Sequence, residues 1–359
     1  MWSHASTAAL LSIRASTGSF IPKTGGILRS ADTSFPNIHA HLASEQIGRP
    51  AAQKLRQINW RVALGILFYH LVALLGFVPG FFSWTGLTLA LLGIYFFGGL
   101  GINLCYHRLL AHRSFTCPIW LEHCLAVIGV CCLQEAPARW VAIHRRHHHH
   151  ADEAADPHSP LVNFFWGHMG WLMFENSELY GLAAYQRYAR DILRDPFYKT
   201  LERHFFSIVL ASWVVFFVGG FSSGILAGDT LGQSLRFGGI ILLWGVFVRT
   251  VLVWHITWSV NSLGHVWGYR NYSTNDDSRN SLLVTFLTSG SGEGWHNNHH
   301  ADPGAAKCGH HWWEYDGIYH VIRGLAFVGL ASNIVGRKPS TLLSSYGSPA
   351  AGMLRSNDQ

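Results

Sequence analysis

Charge is what this sequence has least of. Only 13% of its 359 residues are Asp, Glu, Lys or Arg, about half the share usual in soluble globular proteins. No two of the six cysteines form a CxxC pair, so we interpret them as buried thiols in a reducing compartment rather than as metal ligands. No basic run is interleaved with aromatic residues, which argues against nucleic-acid binding. These absences exclude a disordered chain and disfavour an ordinary soluble enzyme.

Apolar residues and histidine are abundant instead. The hydrophobic share is 49%, with 15 Trp and 22 Phe, and 23 His stand against 26 Lys plus Arg. The net charge of +6 is typical of a membrane protein with basic cytoplasmic loops. The apolar residues indicate membrane spans, and the many histidines indicate metal ligands.

Four stretches are long and apolar enough to span a bilayer. They cover about 61–80, 82–105, 205–228 and 237–258. A shorter apolar stretch, 117–134, is predicted to be an interfacial or re-entrant helix.

The basic residues predict the orientation of these spans. The turns near 79–84 and 226–235 contain no Lys or Arg, whereas ten lie in 105–204 and seven at or before Arg61. The positive-inside rule then places both termini and the central segment in the cytoplasm. We therefore predict an all-α integral membrane protein, with two transmembrane hairpins and a cytoplasmic helical cap. The membrane would be a bacterial inner membrane, or in a eukaryote the endoplasmic reticulum or a plastid membrane.

The single charge within the fourth span is Arg249. A charged residue at a helix centre costs about 2.5–3.5 kcal/mol. Arg249 should therefore face the bundle interior or reach the cytoplasmic edge.

The two ends of the chain differ from its middle. Residues 1–50 are rich in Ser, Thr, Ala and Gly and contain no acid before Asp32. We interpret them as a disordered tail, a targeting segment or an overextended start. Residues 51–338 form the membrane domain, and the small polar residues of 339–359 predict a disordered tail.

Histidine spacing in two boxes matches one face of a helix. Residues three and four apart are neighbours on an α-helix, so each box is expected to direct its side chains to one site. The boxes are His144, His147 and His148, and His296, His299 and His300.

Two further pairs follow the spans. Asn261 and His265 are four residues apart and share a helix face. His107 and His112 are five apart, about 140° around an α-helix. They would reach one site only at a helix end, or from two sides of a metal pair.

The predicted topology places these nine histidines on one side of the membrane. One metal takes about four to six ligands, so nine imidazoles fit two metals better than one. Imidazole suits Fe, Zn, Cu and Ni alike, so the ligand type does not identify the metal. A transporter would instead hold ligands near the midplane of its spans, where only His70 and His255 lie. The remaining histidines, among them His158 and His168, are assigned to packing or to supporting the ligands.

Four segments, in this order and spacing, resemble the membrane fatty acyl desaturases of the Δ9 type. The resemblance covers about 55–335 and includes the four-span topology. The segments are Tyr106–Phe115, His144–His148 followed by Asp156–His158, Asn261–His265, and Gly292–His300.

The resemblance implies a di-iron site that uses O₂ to remove two hydrogens from adjacent methylenes of an acyl chain. The products would be a cis double bond and two waters, with the Δ9 position implied by resemblance alone. Asn261 would reach one iron through a water, and Glu153, Asp156 and Glu293 are candidates to orient the ligands. The implied ligands are His107, His112, His144, His147, His148, His265, His296, His299 and His300.

The resemblance also implies a narrow apolar tunnel for the acyl chain. Tyr95 and Gly99 match its floor, where Tyr95 would stop the methyl end and Gly99 would leave room beside it. Ordinary aromatic packing is an equal interpretation of the two tryptophans of the tunnel wall. The wall residues are Gln134, Trp140, Thr257 and Trp258.

The carrier of the acyl chain stays open between coenzyme A and a glycerolipid. Animal acyl-CoA desaturases follow the equivalent of 170–172 with a basic stretch, whereas here Met173–Glu178 is acidic. Arg145 and Arg146 remain as cations for the CoA phosphates. We expect no fused redox domain, so electrons would come from a separate donor: cytochrome b5, ferredoxin or a reductase.

Two rival functions remain. A hydroxylase with the same metal architecture would remove one hydrogen and return an oxygen atom to the chain. A His-rich membrane metal transporter would carry metal without consuming O₂.

Overall fold

The computed structural model describes residues 57–339. The tails predicted at 1–50 and 339–359 therefore lie outside the described residues, apart from residue 339. Within the described part the chain is helical, and β pairing is limited to isolated bridges. Short 3-10 turns cover Gly170–Met173 and Ile192–Arg194. The helices are α1 (Trp60–Phe77), α2 (Trp84–Ala111), α3 (Ile119–Val130), α4 (Pro137–His150), α5 (Phe164–His168), α6 (Ser177–Tyr180), α7 (Leu182–Tyr188), α8 (Pro196–Leu226), α9 (Leu231–Leu263), α10 (Leu282–Leu287), α11 (His296–Ala301) and α12 (Gly317–Phe327).

Four helices, α1, α2, α8 and α9, are long and apolar enough to cross a membrane. They confirm the four predicted spans, although α2, α8 and α9 extend beyond the predicted bounds. Polar caps explain where they begin. The Asp195 carboxylate accepts from the Phe197 amide at 2.8 Å, and Thr230 and Gln233 form a capping box. Such caps satisfy backbone donors that the first turn leaves free.

The second half of α2 is π-helical from Ile94 to Ala111. Most π-helices are single turns, so this stretch is unusually long. The His112 amide donates to the His107 carbonyl at 3.0 Å. Because that bond spans five residues, the two side chains lie near one another, with ring centroids 4.8 Å apart. The 140° separation expected for an α-helix is therefore wrong here.

Arg249 faces the bundle interior and is fully buried, which confirms the first of its two predicted positions. It donates to the carbonyls of Gly245 and Cys131, each at 3.0 Å. Its guanidinium lies 4.0 Å from the centre of the Phe97 ring, a cation–π contact that offsets part of the lost hydration.

The α2–α3 contact depends on two glycines. A Cβ at Gly101 would lie 2.7 Å from the backbone nitrogen of Gly129, whereas a Cβ at Gly65 on α1 meets nothing within 4 Å. Gly101→Ala should therefore lower the free energy of unfolding by about 1–3 kcal/mol. Gly65→Ala should leave it within about 1 kcal/mol of the parent. Thermal unfolding of both purified variants in one detergent tests this, and equal unfolding temperatures would argue against the close contact.

Candidate metal centre

Nine histidines gather into two clusters where α2 and α9 meet α4 and α11. Within each cluster the potential ligand atoms all lie within 4.8 Å of one another. These are the nine histidines singled out from the sequence, and their role as ligands remains a prediction. The five-histidine cluster consists of His107, His112, His144, His148 and His299. The four-histidine cluster consists of His147, His265, His296 and His300.

Each helical box divides between the clusters. On α4, His144 and His148 belong to the five-histidine cluster and His147 belongs to the other. On α11 the first and last histidines likewise stay together while the middle one joins the opposite cluster. The i+3 and i+4 positions stand about 100° apart around an α-helix. The expectation that each box serves a single site is therefore wrong, because each box serves both.

The imidazoles approach one another through their Nε2 atoms. A ring whose Nδ1 carries the proton presents only a lone pair at Nε2, and facing lone pairs repel unless a cation lies between them. The buried Nε2 atoms of His147 and His300 have no hydrogen-bond partner among residues 57–339. The donor set therefore fits metal ions. The Nε2–Nε2 distances are 2.8 Å for His112–His144, and 3.0 Å for His107–His299, His148–His299 and His265–His296.

Four carboxylates face the opposite nitrogen of four cluster rings. A carboxylate at Nδ1 fixes the tautomer and directs Nε2 toward the metal. The separations between Nδ1 and the carboxylate oxygen are 2.9 Å for His107–Glu293, 3.0 Å for His147–Asp156, 2.8 Å for His265–Asp152 and 2.8 Å for His300–Asp276.

Two of the three predicted supporting acids, Asp156 and Glu293, occupy such positions. Glu153 does not, because its carboxylate lies 2.9 Å from His150, which belongs to neither cluster. Asp152 and Asp276 were missed. The only local signal for Asp152 is its place directly after the second box, and Asp276 lies in a polar loop far from His300 in sequence.

Burial sets the charge of the clusters. Burial, followed by the neighbouring imidazoles, lowers the pKa of most cluster rings, so they are neutral at pH 7, as metal ligands must be. Burial alone would raise the pKa of Asp276, but its contact with His300 Nδ1 outweighs burial and holds that pKa well below its usual range. The rings with lowered pKa include His112, His144, His148, His296 and His299.

A buried ionic network holds Glu293 in place. Arg108 is 1% exposed and lies 3.2 Å from Glu293 and 3.0 Å from Asp316. It also donates to the Ala306 carbonyl at 2.7 Å. Gly292 has φ +100°, and a Cβ there would collide with both Arg108 and Asp316. The network therefore joins α2 to the loop before α11 and to the start of α12.

Three of the predicted substrate residues line one cleft between α2 and α9. Tyr95 and Gly99 come from the π-helical part of α2, and Thr257 comes from α9. The Gln134 amide donates to the Thr257 hydroxyl at 3.1 Å. Trp140 stacks on His144, with centroids 4.8 Å apart and planes at 21°.

The other predicted residues lie apart from this cleft lining. Trp258 stacks on Trp254 at 5.5 Å, and Asn261 is half-buried one turn before His265. Arg146 donates to the Ala155 carbonyl at 3.0 Å and to the Glu178 carboxylate at 2.5 Å.

A separate row of three histidines joins the spans to α5. The His70 and His255 Nε2 atoms are 2.9 Å apart, and His255 Nδ1 lies 2.9 Å from His168 Nε2. At the end of the row, His168 Nδ1 lies 2.9 Å from the Ser262 hydroxyl oxygen. His168 belongs to neither cluster, and its assignment to packing or to supporting the ligands stays a prediction.

The carboxylates provide a test of the clusters that does not rely on removing a ligand. Asp276→Asn should lower the affinity for the bound metal, assayed with iron, about 10- to 100-fold, because a weaker acceptor orients His300 less well. Glu153→Gln is the matched control, since its partner His150 lies outside both clusters. Iron bound per protein, measured against a graded chelator, reports the difference. If the two variants retain iron equally, the carboxylates do not support the metal site.

Comparison with known proteins agrees with this geometry. Residues 82–328 match the family model described as "Fatty acid desaturase". The chain is 39% identical over 284 residues to an sn-2 palmitoyl-lipid 9-desaturase of Nostoc sp. (strain 36), covering 79% of this chain and 92% of that protein. It is 40% identical over 279 residues to an sn-1 stearoyl-lipid 9-desaturase of Anabaena variabilis, covering 77% and 94%.

A more distant relative is named for a different acyl carrier. The chain is 35% identical over 295 residues to an acyl-CoA C20 Delta5-desaturase of Anemone leveillei, covering 79% of this chain and 87% of that protein. The extent of these matches, and of the family model, is decisive: the chain belongs to the fatty acid desaturase family.

Proposed function

We propose that this chain is an O₂-dependent membrane desaturase that inserts a cis double bond at Δ9 into a long saturated acyl chain. The observation that carries the proposal is the pairing of two histidine clusters with an adjacent cleft between α2 and α9. The names of the two relatives that are about 40% identical support the Δ9 position.

We propose that the nine histidines hold two irons and that Asn261 assists through a water. When bound, the irons would activate O₂ for removal of two hydrogens from adjacent methylenes. Neutral imidazole suits iron among other metals, and the division into five and four rings supports two ions rather than one.

The protein's own groups prepare that site. Asp152, Asp156 and Asp276 hydrogen-bond to Nδ1 of their histidines and so keep Nε2 free. The fourth carboxylate, Glu293, lies 2.9 Å from His107 Nδ1. Trp140, stacked on His144, restricts the rotation of one ring. Ile94, Val253 and Ile256 give the cleft an apolar side that suits an acyl chain. Its polar lining residues are Asn103, Thr257, Thr288 and Ser289.

The cleft should set the length of the acyl chain. A Cβ at Gly99 would lie 3.5 Å from the Tyr95 ring and 3.7 Å from Ile318, so a large side chain there must project into the cleft. Gly99→Trp is expected to shift products toward shorter acyl chains, while Gly219→Trp, where a Cβ meets nothing within 4 Å, should leave the profile unchanged. Product chain lengths from mass spectrometry measure this. If Gly99→Trp leaves the product chain lengths unchanged, the cleft does not hold the acyl chain.

We infer that the acyl chain is carried on a glycerolipid rather than on CoA. Two relatives are named as lipid desaturases, and Arg146, a candidate for the CoA phosphates, is bonded to Glu178. The site and both termini are proposed to face the cytoplasm, following the basic residues.

Two electrons per double bond would come from a separate donor such as cytochrome b5, ferredoxin or a reductase. Arg187, Arg190 and Arg194 are exposed and would attract an acidic carrier. Arg145 links this surface to the site, since it donates to Asp191 at 2.7 Å and to the Ala111 carbonyl, directly before His112, at 2.8 Å.

Expression in a host without its own desaturase tests the function. With iron and a working donor supplied, fatty acids profiled by mass spectrometry with double-bond localisation should contain new cis Δ9 species. Hydroxylated species would identify a hydroxylase. Metal accumulation with no new fatty acid would favour the transporter and refute the proposal.

A further inference from the structure

The short helix α10 has an apolar face without a protein partner among the described residues. Its sequence, Leu-Leu-Val-Thr-Phe-Leu, contains no charge. Val284 is buried, whereas Leu282 is 67% and Phe286 79% exposed. Trp267, just after α9, is 67% exposed. Contiguous apolar exposure of this kind marks a binding surface rather than a water-facing one.

This face lies at the end of a membrane span. The Arg279 amide donates to the Gly264 carbonyl at 2.7 Å, and Tyr269 and Asn280 exchange two backbone hydrogen bonds. The segment leading into α10 is thereby tied to the residues that follow α9. Tryptophan at the end of a span is typical of the membrane–water interface. The apolar face of α10 therefore lies beside the residues that follow α9, next to the exposed Trp267.

The same helix leads directly into the cleft. Thr288 and Ser289, the residues after α10, line the cleft together with Tyr95 and Gly99. Tyr95 is itself 38% exposed on a helix that crosses the membrane. The cleft is therefore accessible from the outside at Tyr95, beside the residues that follow α10.

We infer that the apolar face of α10 and Trp267 lies in the lipid leaflet on the site's side, and that the acyl chain of a membrane lipid enters the cleft sideways past Thr288 and Ser289. The headgroup stays at the interface while the acyl chain slides between α2 and α10. The entry route rests on the proposed function, but the position of α10 does not.

Spin labelling measures the position of α10 without reference to activity. A nitroxide at Phe286→Cys, in a Cys124→Ser background because Cys124 is exposed, is examined in phospholipid nanodiscs. The Phe286 label should collide more often with O₂ than with a water-soluble nickel chelate, as expected for a label in lipid. A label at Val215→Cys on α8 is the lipid control and should behave in the same way. A label at Gln186→Cys in α7 is the water control and should collide more often with the nickel chelate. A Phe286 label that behaves like the Gln186 label would overturn the inference. So would spin–spin broadening between labels, since a second copy would then cover the face.

The rate of desaturation distinguishes lateral entry of the acyl chain from attachment of α10 to the membrane alone. Phe286→Glu should slow desaturation of bilayer lipid about tenfold, a barrier of roughly 1.4 kcal/mol, with iron content unchanged. Ile119→Glu is the control, because Ile119 is 57% exposed on α3 and does not line the cleft. Equal losses in both variants, or no loss in Phe286→Glu, would overturn lateral entry. If the parent forms no product with any lipid, the proposed function fails, and the spin labels still decide where α10 lies.

Discussion

In a His147→Ala chain, product formation is expected to fall by more than about 100-fold, because changes to supporting residues alone cost about 10- to 100-fold. His147 is 1% exposed, and its Nδ1 is held by Asp156 at 3.0 Å. Its Nε2 has no hydrogen-bond partner in the part of the chain that the structure describes. Its removal leaves three imidazoles in the four-histidine cluster. The Asp156 carboxylate also loses its partner in a buried position.

The neighbouring His149 provides a matched control. It belongs to the same run of four histidines but is exposed and lies outside both clusters. His149→Ala should retain product and iron, whereas His147→Ala should insert in the membrane normally with less iron per protein. Fatty acid profiles, iron content and the amount of protein in the membrane fraction distinguish the two. Product unchanged in His147→Ala, or lost equally in His149→Ala, would refute the assignment of the box.

The nine histidines could be found from the sequence because their spacing is local. Residues three and four apart must be neighbours on a helix, whatever the rest of the fold does. How the boxes divide depends on tertiary structure, since His147 shares a cluster with His265, which follows the distant helix α9. Asp276 could not be predicted for the same reason, because its partner His300 is 24 residues away in sequence.

The π-helical winding of α2 was not predicted, although one spacing in the sequence is consistent with it. An α-helix and a π-helix differ by one residue in their hydrogen-bond register, and the apolar pattern of the second span fits either. The consequence is specific to His107 and His112. Their separation of five residues, awkward on an α-helix, suits the π-helical bond between them. The spacing that left two alternatives open was therefore itself a sign of the local structure.

Arg108→Leu should destabilise the fold by about 3–5 kcal/mol, the usual result of leaving a buried charge without its partner. Glu293 and Asp316 would both lose the same guanidinium, and the carbonyls of Ser291 and Ala306 would lose a donor. Arg108→Lys should recover only part of this, because one ammonium cannot reproduce the planar, multiply bonded guanidinium.

The effect should extend from stability to the metal. Glu293 lies between Arg108 and His107, so a displaced Glu293 no longer fixes that ring, and iron affinity should fall with the unfolding temperature. Arg187→Leu is the control, since Arg187 is exposed and surface substitutions usually change stability by less than about 0.5 kcal/mol. Thermal unfolding and iron titration of the three variants in one detergent give both quantities. If Arg108→Leu unfolds and binds iron as Arg187→Leu does, the network neither supports the fold nor positions Glu293. If only its iron affinity falls, Arg108 acts on the site through Glu293 without being needed for the fold.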